Sequence, residues 1–265
     1  MTSSDVIDDN IRVAEALIRE AAENGAEFVL TPEMTVLFDI SAKQTMAKIS
    51  TEKEDTSWRH FAALAKELNI WLLIGSMAIK SGEKAANRSF LFSPEGKKVV
   101  SYDKIHMFDV DLPDEKSYRE SNTYQSGDKA IIADLPWGKV GLSICYDLRF
   151  AYLYRIMAQA GAKILTVPAA FTYVTGKAHW HTLLRARAIE TGAFVFAPAQ
   201  VGDHANGRKT YGHSLVIDPW GNILADGGDD VGVVMADIDM SSVTTARNRI
   251  ASLTHDKNIA IQSVT

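Results

Sequence analysis

The sequence predicts a mixed α/β fold, and three observations support this class. Short apolar runs such as KILTV alternate with amphipathic helical stretches, which is typical of strand-helix units. Turns built on Pro-Glu-Gly, Pro-Trp-Gly and Asp-Pro-Trp-Gly add antiparallel hairpins. At 265 residues and 46% hydrophobic, the chain can bury a large core without metals or disulfides. We therefore expect mixed sheets covered by helices in one domain, residues 1–265.

The first half of the chain places two charged side chains at strand ends. Its predicted elements are a helix from an N-cap at Asp9 or Asn10 to Gly25, a strand over 28–31, a helix over 57–68, a strand over 70–75 and a hairpin over 87–104. Pro32 closes the first strand, so Glu33 lies at its carboxyl end. Lys104 closes the second strand of the hairpin.

The second half repeats this pattern around the single cysteine. Its predicted elements are a long loop over 105–129, a hairpin over 130–144, a helix over 150–159, a strand over 163–167, a helix over 178–190, a strand over 193–200, a hairpin over 214–225 and a last strand over 232–238. Cys145 therefore lies between a strand and a helix. The sequence contains no low-complexity linker and no repeat that would divide the chain.

Composition excludes several classes of partner. The formal charge of −5 and the pI near 5.8 provide no basic field for nucleic acid or anionic lipid, so a small molecule is the expected partner. The apolar runs are far shorter than the roughly 20 residues of a membrane span. A single cysteine cannot form an internal disulfide, and MTSSDVIDDN lacks the features of a secretory signal. We expect a cytoplasmic protein.

Glu33, Lys104 and Cys145 together have the chemistry of an acyl-transfer site. A thiol at the start of a helix is expected to ionise more readily, and the N–H of Tyr146 can stabilise an oxyanion. A carboxylate supplies the base that the thiol needs, and a fixed ammonium stabilises both thiolate and oxyanion. Taken singly, each has a structural alternative: a buried cysteine, a solvated glutamate and a surface lysine.

The segments around these residues resemble the three catalytic blocks of the nitrilase superfamily, the carbon-nitrogen hydrolases. They are TPEM, YDKIHMFD and GLSICYDLRF, and the resemblance extends from about Asn10 to Ile250. AFTYVTGKAHWHTLLRARAIETGAFVFAPAQ and TYGHSLVIDPWG are similar to the Nit branch, which includes deaminated glutathione amidase and omega-amidase. The resemblance implies a four-layer α-β-β-α sandwich with two mixed sheets. It also implies that Glu120, in ESNTYQSGD, orients Lys104 or assists proton transfer.

The resemblance carries two further expectations. Family members have a first β-strand ahead of the residues that match MTSSD, so this chain is expected to lack that strand or to have it encoded upstream of Met1. The family also packs sandwich on sandwich, which implies a homodimer or a larger dimer-based assembly.

Substrate contacts are predicted at Tyr146, Arg149, Phe171 and Thr172. Arg149 matches a substrate carboxylate geometrically, and an arginine at this spacing contacts substrate in the similar carbamoyl-amino-acid hydrolases. An ion pair with Asp147 is the structural alternative. Phe171 and Thr172 follow a strand and are expected to line the pocket, although an apolar aromatic there is commonly core.

The remaining histidines do not predict a metal centre. His179 and His181 form H-x-H in a helix, where residues two apart do not share a face, and the sequence shows no companion ligands. His106 is expected to have a hydrogen-bonded structural role. We therefore expect neither metal nor organic cofactor.

The predicted function is hydrolysis of a small linear amide to a carboxylic acid and ammonia through a cysteine thioester. A nitrilase and an N-carbamoyl-amino-acid hydrolase remain alternatives because the same site chemistry serves nitriles and carbamoyl groups. A cysteine protease is disfavoured because the papain-type local signature is absent. A non-catalytic binding protein would follow if Glu33, Lys104 and Cys145 did not converge in space.

Overall fold

The computed structural model describes residues 1–38, 41–111, 117–205 and 207–264. Within these ranges the α-helices are α1 Ile7–Glu23, α2 Ala42–Lys48, α3 Ser57–Leu68, α4 Ala151–Gln159, α5 Tyr173–Thr191 and α6 Ser241–Arg249. The strands are β1 Phe28–Leu30, β2 Trp71–Ser81, β3 Lys84–Phe92, β4 Lys98–Asp103, β5 Asp109–Val110, β6 Tyr118–Arg119, β7 Tyr124–Gln125, β8 Ile131–Leu135, β9 Gly138–Leu142, β10 Ala162–Thr166, β11 Phe194–Ala197, β12 Val201–Asp203, β13 Lys209–Tyr211, β14 Leu215–Ile217 and β15 Ile223–Asp226.

Two sheets of mixed direction form the centre of the fold, as the sequence predicts. The first has the strand order β1-β2-β3-β4, with β7 beside β3. Its β1-β2 pair is parallel, whereas β2-β3 and β3-β4 are antiparallel. The second has the order β15-β14-β11-β10-β9-β8, with β9, β10 and β11 parallel and antiparallel strands at both edges.

The alternation of side chains along β2 shows how the layers stack. Leu72 and Ile74 are fully buried in a cluster with residues of α1 and α3, whereas Leu73 lies in the cluster formed by the second sheet, α4 and α5. Successive side chains of a strand point to opposite faces, so one face of the sheet meets helices and the other meets the second sheet. The fold is the predicted α-β-β-α sandwich. No helix in the described part of the chain is long and apolar enough to cross a bilayer.

The prediction of a last strand over residues 232–238 is wrong. These residues carry no strand pairing, and they line a cavity of about 590 Å³ with β1 on another of its walls. Among the described residues, β1 pairs on one side only, with β2, and its bonds to β2 involve Glu27 and Thr31. Since backbone groups alternate in direction along a strand, those of Phe28 and Leu30 face away from β2. The cavity lies between this edge of β1 and residues 232–238.

Two boundaries differ from the predicted ones for reasons of tertiary contact. Helix α1 begins at Ile7, ahead of the predicted caps, and the Asn10 side chain bonds instead to the backbone of Ser4 and Val36. Residues 105–129, predicted as one loop, contain the short strands β5, β6 and β7. Those short pairings depend on partners that a local sequence pattern does not reveal.

Candidate active site

Glu33, Lys104 and Cys145 converge between the two sheets. They follow β1, β4 and β9 respectively, as the sequence predicts. The Lys104 ammonium lies 3.0 Å from Glu33 Oε1, and the Cys145 thiol is close enough to the Glu33 carboxylate for each to shift the pKa of the other. The three residues are 4%, 2% and 7% exposed. Groups as polar as these remain buried only where they satisfy one another, so the site is a closed electrostatic unit.

A glycine permits this convergence. Gly75 lies in β2 where the end of β1 and the chain after β10 come together. A Cβ at Gly75 would lie 2.0 Å from the Thr31 carbonyl oxygen and 2.5 Å from the Pro168 Cβ. Its N–H also donates to the Thr31 hydroxyl at 3.0 Å. Only glycine allows the segment before Glu33 to pack so closely against the chain after β10.

Both oxygens of Glu33 are held in place. Oε2 accepts the Ala170 N–H at 2.8 Å, and Oε1 accepts the Asn87 side-chain amide at 2.9 Å in addition to Lys104. The Gln200 side chain donates to the Glu33 backbone carbonyl at 3.0 Å. The carboxylate therefore has one fixed orientation, which is a requirement for a base that must meet a particular proton.

Glu120 is the second carboxylate that contacts Lys104. Its two carboxylate oxygens lie 3.0 and 2.8 Å from Lys104 Nζ. The Phe108 N–H donates to Glu120 Oε2 at 2.7 Å and fixes the carboxylate. The buried ammonium thus contacts two carboxylates, those of Glu33 and Glu120.

Asn87 is part of this network, and the sequence analysis missed it. Its side-chain nitrogen donates to Glu33 at 2.9 Å and to Glu120 at 3.2 Å, and its backbone carbonyl accepts the Lys104 N–H at 2.9 Å. Its Oδ1 is buried without a hydrogen-bond partner among the described residues. The available signal was the position of Asn87 opposite Lys104 in the predicted hairpin, in the stretch AANRSFLF, which also contains Arg88 and Ser89.

The backbone at Cys145 has a strained conformation that surrounding hydrogen bonds hold in place. Its φ is +47°, in the left-handed region that L residues rarely adopt, and its N–H donates to the Pro168 carbonyl at 2.9 Å. The fully buried Asp147 accepts the Ile144 N–H at 2.9 Å and the Tyr102 hydroxyl at 2.6 Å. His106 bonds to the same carboxylate through Nδ1 at 2.7 Å, which is the structural role predicted for it.

The expectation that a helix N-terminus favours the thiolate is wrong. Cys145 begins a 3-10 turn, Cys145–Arg149, and α4 starts only afterwards. Burial raises the pKa of the Cys145 thiol well above its usual value, the Glu33 charge raises it further, and Lys104 offsets only part of this. Burial would also raise the pKa of Glu33, but the Lys104 charge, the neighbouring Cys145 thiol and the hydrogen bond from the Ala170 N–H lower it overall.

Lys104 stays charged for a related reason. Burial alone would lower the pKa of its ammonium, but the carboxylates of Glu120 and Glu33 raise it well above the usual value. The resting site therefore holds a neutral thiol, an ionised Glu33 and a charged Lys104. A protonated sulfur with an unprotonated carboxylate beside it is the starting condition for general-base catalysis.

The four predicted substrate-binding residues follow Cys145 and Ala170 in the chain, and their contacts differ. The Arg149 guanidinium lies 3.4 Å from His179 Nδ1 and above the rings of Tyr146 and Phe171, at 5.7 and 5.3 Å from their centroids. The alternative ion pair with Asp147 is not formed, since Asp147 bonds to other groups. The Thr172 hydroxyl lies 2.7 Å from that of Thr175, at the start of α5.

This fold, with its buried cysteine beside a carboxylate and an ammonium, places the protein in the class of cysteine hydrolases. The chain belongs to the carbon-nitrogen hydrolase family, whose sequence profile matches residues 4–248. It is 39% identical over 256 residues to deaminated glutathione amidase of Yersinia enterocolitica, and the alignment covers 95% of this chain and 89% of that protein. It is 38% identical over 251 residues to omega-amidase NIT2 of Mus musculus, and the alignment covers 94% of this chain and 90% of that protein.

Solved structures agree with this assignment. The NitFhit protein of C. elegans superimposes with a TM-score of 0.89 at 35% identity, over 97% of this chain and 63% of that chain. The Nit3 protein of Saccharomyces cerevisiae superimposes with a TM-score of 0.84 at 29% identity, over 94% and 90%.

Proposed function

We propose that the protein is a cysteine-dependent amidase that hydrolyses a small linear amide to a carboxylic acid and ammonia. One observation carries the proposal: a buried thiol shares one site with a carboxylate that is itself 3.0 Å from a buried ammonium. Cys145 is the nucleophile, Glu33 the general base and Lys104 the cation beside the reacting carbonyl. Membership in the carbon-nitrogen hydrolase family and the names of the amidase relatives support the same reaction.

The first half-reaction forms the thioester. Glu33 accepts the thiol proton as the Cys145 sulfur attacks the amide carbon. The carbonyl π electrons move to oxygen, and Lys104 and the Tyr146 N–H stabilise that oxyanion. As the carbonyl re-forms, the carbon-nitrogen bond breaks and Glu33 returns its proton to the leaving nitrogen. Ammonia leaves and the acyl group remains on sulfur.

The second half-reaction uses the same groups with water. Glu33 accepts a proton from water as the oxygen attacks the thioester carbon, and the oxyanion forms again beside Lys104. The carbon-sulfur bond then breaks, and the thiolate takes the proton back from Glu33. The carboxylic acid leaves, and the neutral thiol and the ionised Glu33 are restored.

Electrostatics explain why Lys104 lies between two carboxylates. Transfer of the thiol proton neutralises Glu33 and creates a charge on sulfur, so the net charge of the site does not change. Glu120 lies 2.8 Å from Lys104 and keeps the ammonium fixed while Glu33 gains and loses its charge. Glu120 is therefore a positioning residue in this proposal, and its fixed carboxylate avoids reorganisation during the reaction.

The substrate is proposed to carry a carboxylate that Arg149 binds. Within the described residues, the guanidinium contacts a histidine nitrogen and two aromatic rings rather than a carboxylate. Its charge and bidentate geometry are therefore left for a ligand. The rings of Tyr146 and Phe171 hold the guanidinium by cation-π contacts and border the proposed pocket.

Ammonia release from a panel of compounds tests this proposal. The panel contains omega-amides that bear a carboxylate, deaminated glutathione, carbamoyl amino acids and nitriles, with the Cys145→Ala protein as the control. Turnover of omega-amides in preference to their methyl esters supports the function and the role of Arg149. Turnover of nitriles or carbamoyl amino acids alone would replace the amidase assignment, and no turnover of any compound would favour a binding protein.

We also propose a cytoplasmic homodimer. Helices α4 and α5 pack together and expose large apolar side chains, among them Tyr152, Ile156, Val174 and Ile189, at 59%, 49%, 50% and 51%. A second copy of this face would cover that surface, since patches of this kind mark interfaces. Sedimentation should give a species of twice 29.1 kDa at micromolar protein, and Ile156→Asp should shift it toward monomer. A 29 kDa species alone in the parent protein contradicts the proposal.

A further inference from the structure

Two imidazoles and a carboxylate form a second cluster of ligand-type groups. His181 lies in α5, His213 lies between β13 and β14, and Asp226 ends β15. One ligand atom from each of the three falls within 4.8 Å of the other two. The contacts of Glu33, Lys104 and Cys145 described above involve none of these side chains. The cluster therefore needs an explanation of its own.

The carboxylate of Asp226 bonds to both rings. His181 Nε2 lies 3.2 Å from Asp226 Oδ2, and His213 Nδ1 lies 2.9 Å from Asp226 Oδ1. The other nitrogen of His213, Nε2, lies 3.3 Å from a carboxylate oxygen of Asp229. His213 thus has a carboxylate at each of its ring nitrogens.

The two ring nitrogens of His213 can serve different partners. With a divalent cation on Nδ1, the Nε2 proton would be donated to the Asp229 carboxylate, 3.3 Å away. A metal-bound histidine whose other nitrogen donates to a carboxylate is a common arrangement in metalloproteins.

The backbone around His213 holds the ring in position. Its φ of +54° places it in the left-handed region, and its N–H donates to the Gly228 carbonyl at 2.7 Å. The indole of Trp180 donates to the His213 carbonyl at 2.8 Å, and the Gly228 N–H donates to Asp226 Oδ1 at 2.9 Å. The His213 ring also stacks on Tyr211, with 4.5 Å between centroids. Two of the three groups are therefore positioned before any ligand arrives.

We propose that His181, His213 and Asp226 bind one divalent transition-metal ion of the Zn²⁺ type. Two imidazoles and a carboxylate are ligands that Zn²⁺ accepts, with bonds of about 2.0–2.2 Å that place ligand atoms about 3.3 Å apart. Measured to the single oxygen Asp226 Oδ2, the contacts of His181 Nε2 and His213 Nδ1 are 3.2 and 3.1 Å, which is close to that separation. Asp229 orients His213, and water completes the coordination.

The structure changes the conclusion drawn from the H-x-H motif. His179 and His181 do lie on different faces of α5, since His179 contacts Arg149 and His181 contacts Asp226. His181 nevertheless has companions, because the fold brings the β13-β14 connection and the end of β15 against the helix. A metal there joins α5 to the edge hairpin of the second sheet, so it is expected to raise the melting temperature.

Zinc titration of the tag-free, full-length Cys145→Ala protein tests the proposal. The alanine removes the active-site thiol as a competing ligand, and the readout is binding rather than amidase activity, so the result does not depend on the proposed function. Calorimetry should show one Zn²⁺ per chain, and addition of Zn²⁺ should raise the melting temperature. Less than about 0.2 Zn²⁺ per chain, with no change in melting temperature, overturns the proposal.

Variants in that background identify the ligands. His181→Ala and His213→Asn should each weaken binding by at least tenfold, and asparagine tolerates the left-handed backbone at 213. Asp229→Asn should weaken it by about 10- to 100-fold, as loss of an orienting carboxylate does. The matched control is His179→Ala, two residues away on the same helix, which should bind Zn²⁺ like the parent. Equal affinity in His181→Ala and the parent overturns the assignment even if zinc binds elsewhere.

Discussion

Replacement of Lys104 by methionine separates its catalytic role from its structural role. The ammonium lies 3.0 Å from Glu33 and 2.8 Å from Glu120, so Lys104→Met leaves two carboxylates without their cation. The Glu33 and Glu120 side chains are only 5% and 12% exposed, so water cannot replace the lost partner. Breaking a buried ion pair destabilises a protein by about 3–5 kcal/mol, and we expect a loss in this range.

The expected loss of activity has two sources. Removing an oxyanion donor lowers turnover by roughly 100- to 1,000-fold. The Lys104 charge also lowers the pKa of Glu33, so its removal raises that pKa. Because the base acts only when ionised, the acidic limb of the residual pH profile should move to higher pH. Ammonia release measured across pH reports both effects.

Two further proteins make the test specific. Lys104→Met/Glu120→Gln removes one unpaired carboxylate and should recover about 1.5–3 kcal/mol of the lost stability without recovering activity. Lys98→Met removes a partly exposed lysine of β4 that pairs with Glu52, so its stability should change by no more than about 1 kcal/mol and its turnover should not change. Urea unfolding measures all four proteins. Turnover of Lys104→Met within tenfold of the parent, or an unmoved acidic limb, would refute the reasoning.

Three more predictions follow from the site and the first strand. Cys145→Ala should abolish ammonia release and iodoacetamide labelling with an unchanged circular dichroism spectrum; wild-type turnover in this variant means that another group is the nucleophile. In a chain that begins at Met1, burial lowers the pKa of the Met1 amine from 8.0 to about 6. The unfolded chain then binds more protons than the folded protein between pH 6 and pH 8. The free energy of unfolding should therefore rise by about 2–3 kcal/mol over this range, at about 1.4 kcal/mol per pKa unit. N-terminal acetylation should remove this pH dependence; a pH dependence that survives acetylation belongs to another group. Fusing about 6 to 8 apolar, strand-forming residues before Met1 should raise the melting temperature by pairing with the free edge of β1, whereas equal melting would mean that the cavity is filled in another way.

The sequence alone determined most of the elements and pointed to the residues proposed as the reacting groups. Period and turn residues placed α3 at Ser57–Leu68 and located the hairpins, because these signals are local. Glu33, Lys104 and Cys145 were recognisable because each ends an apolar strand within a family motif. The sequence also suggested Glu120 as a site residue, although only through the resemblance.

The tertiary structure decided what depends on contacts distant in the chain. The thiol is neutral because burial and Glu33 outweigh Lys104, and burial cannot be read from a motif. Asn87 hydrogen-bonds to Glu33 and Glu120 only because the fold places β3 beside them. His181 lies near His213 only because α5 packs on the second sheet. Residues 232–238 have a strand pattern but no strand, because a ladder forms only where a partner lies within hydrogen-bonding distance.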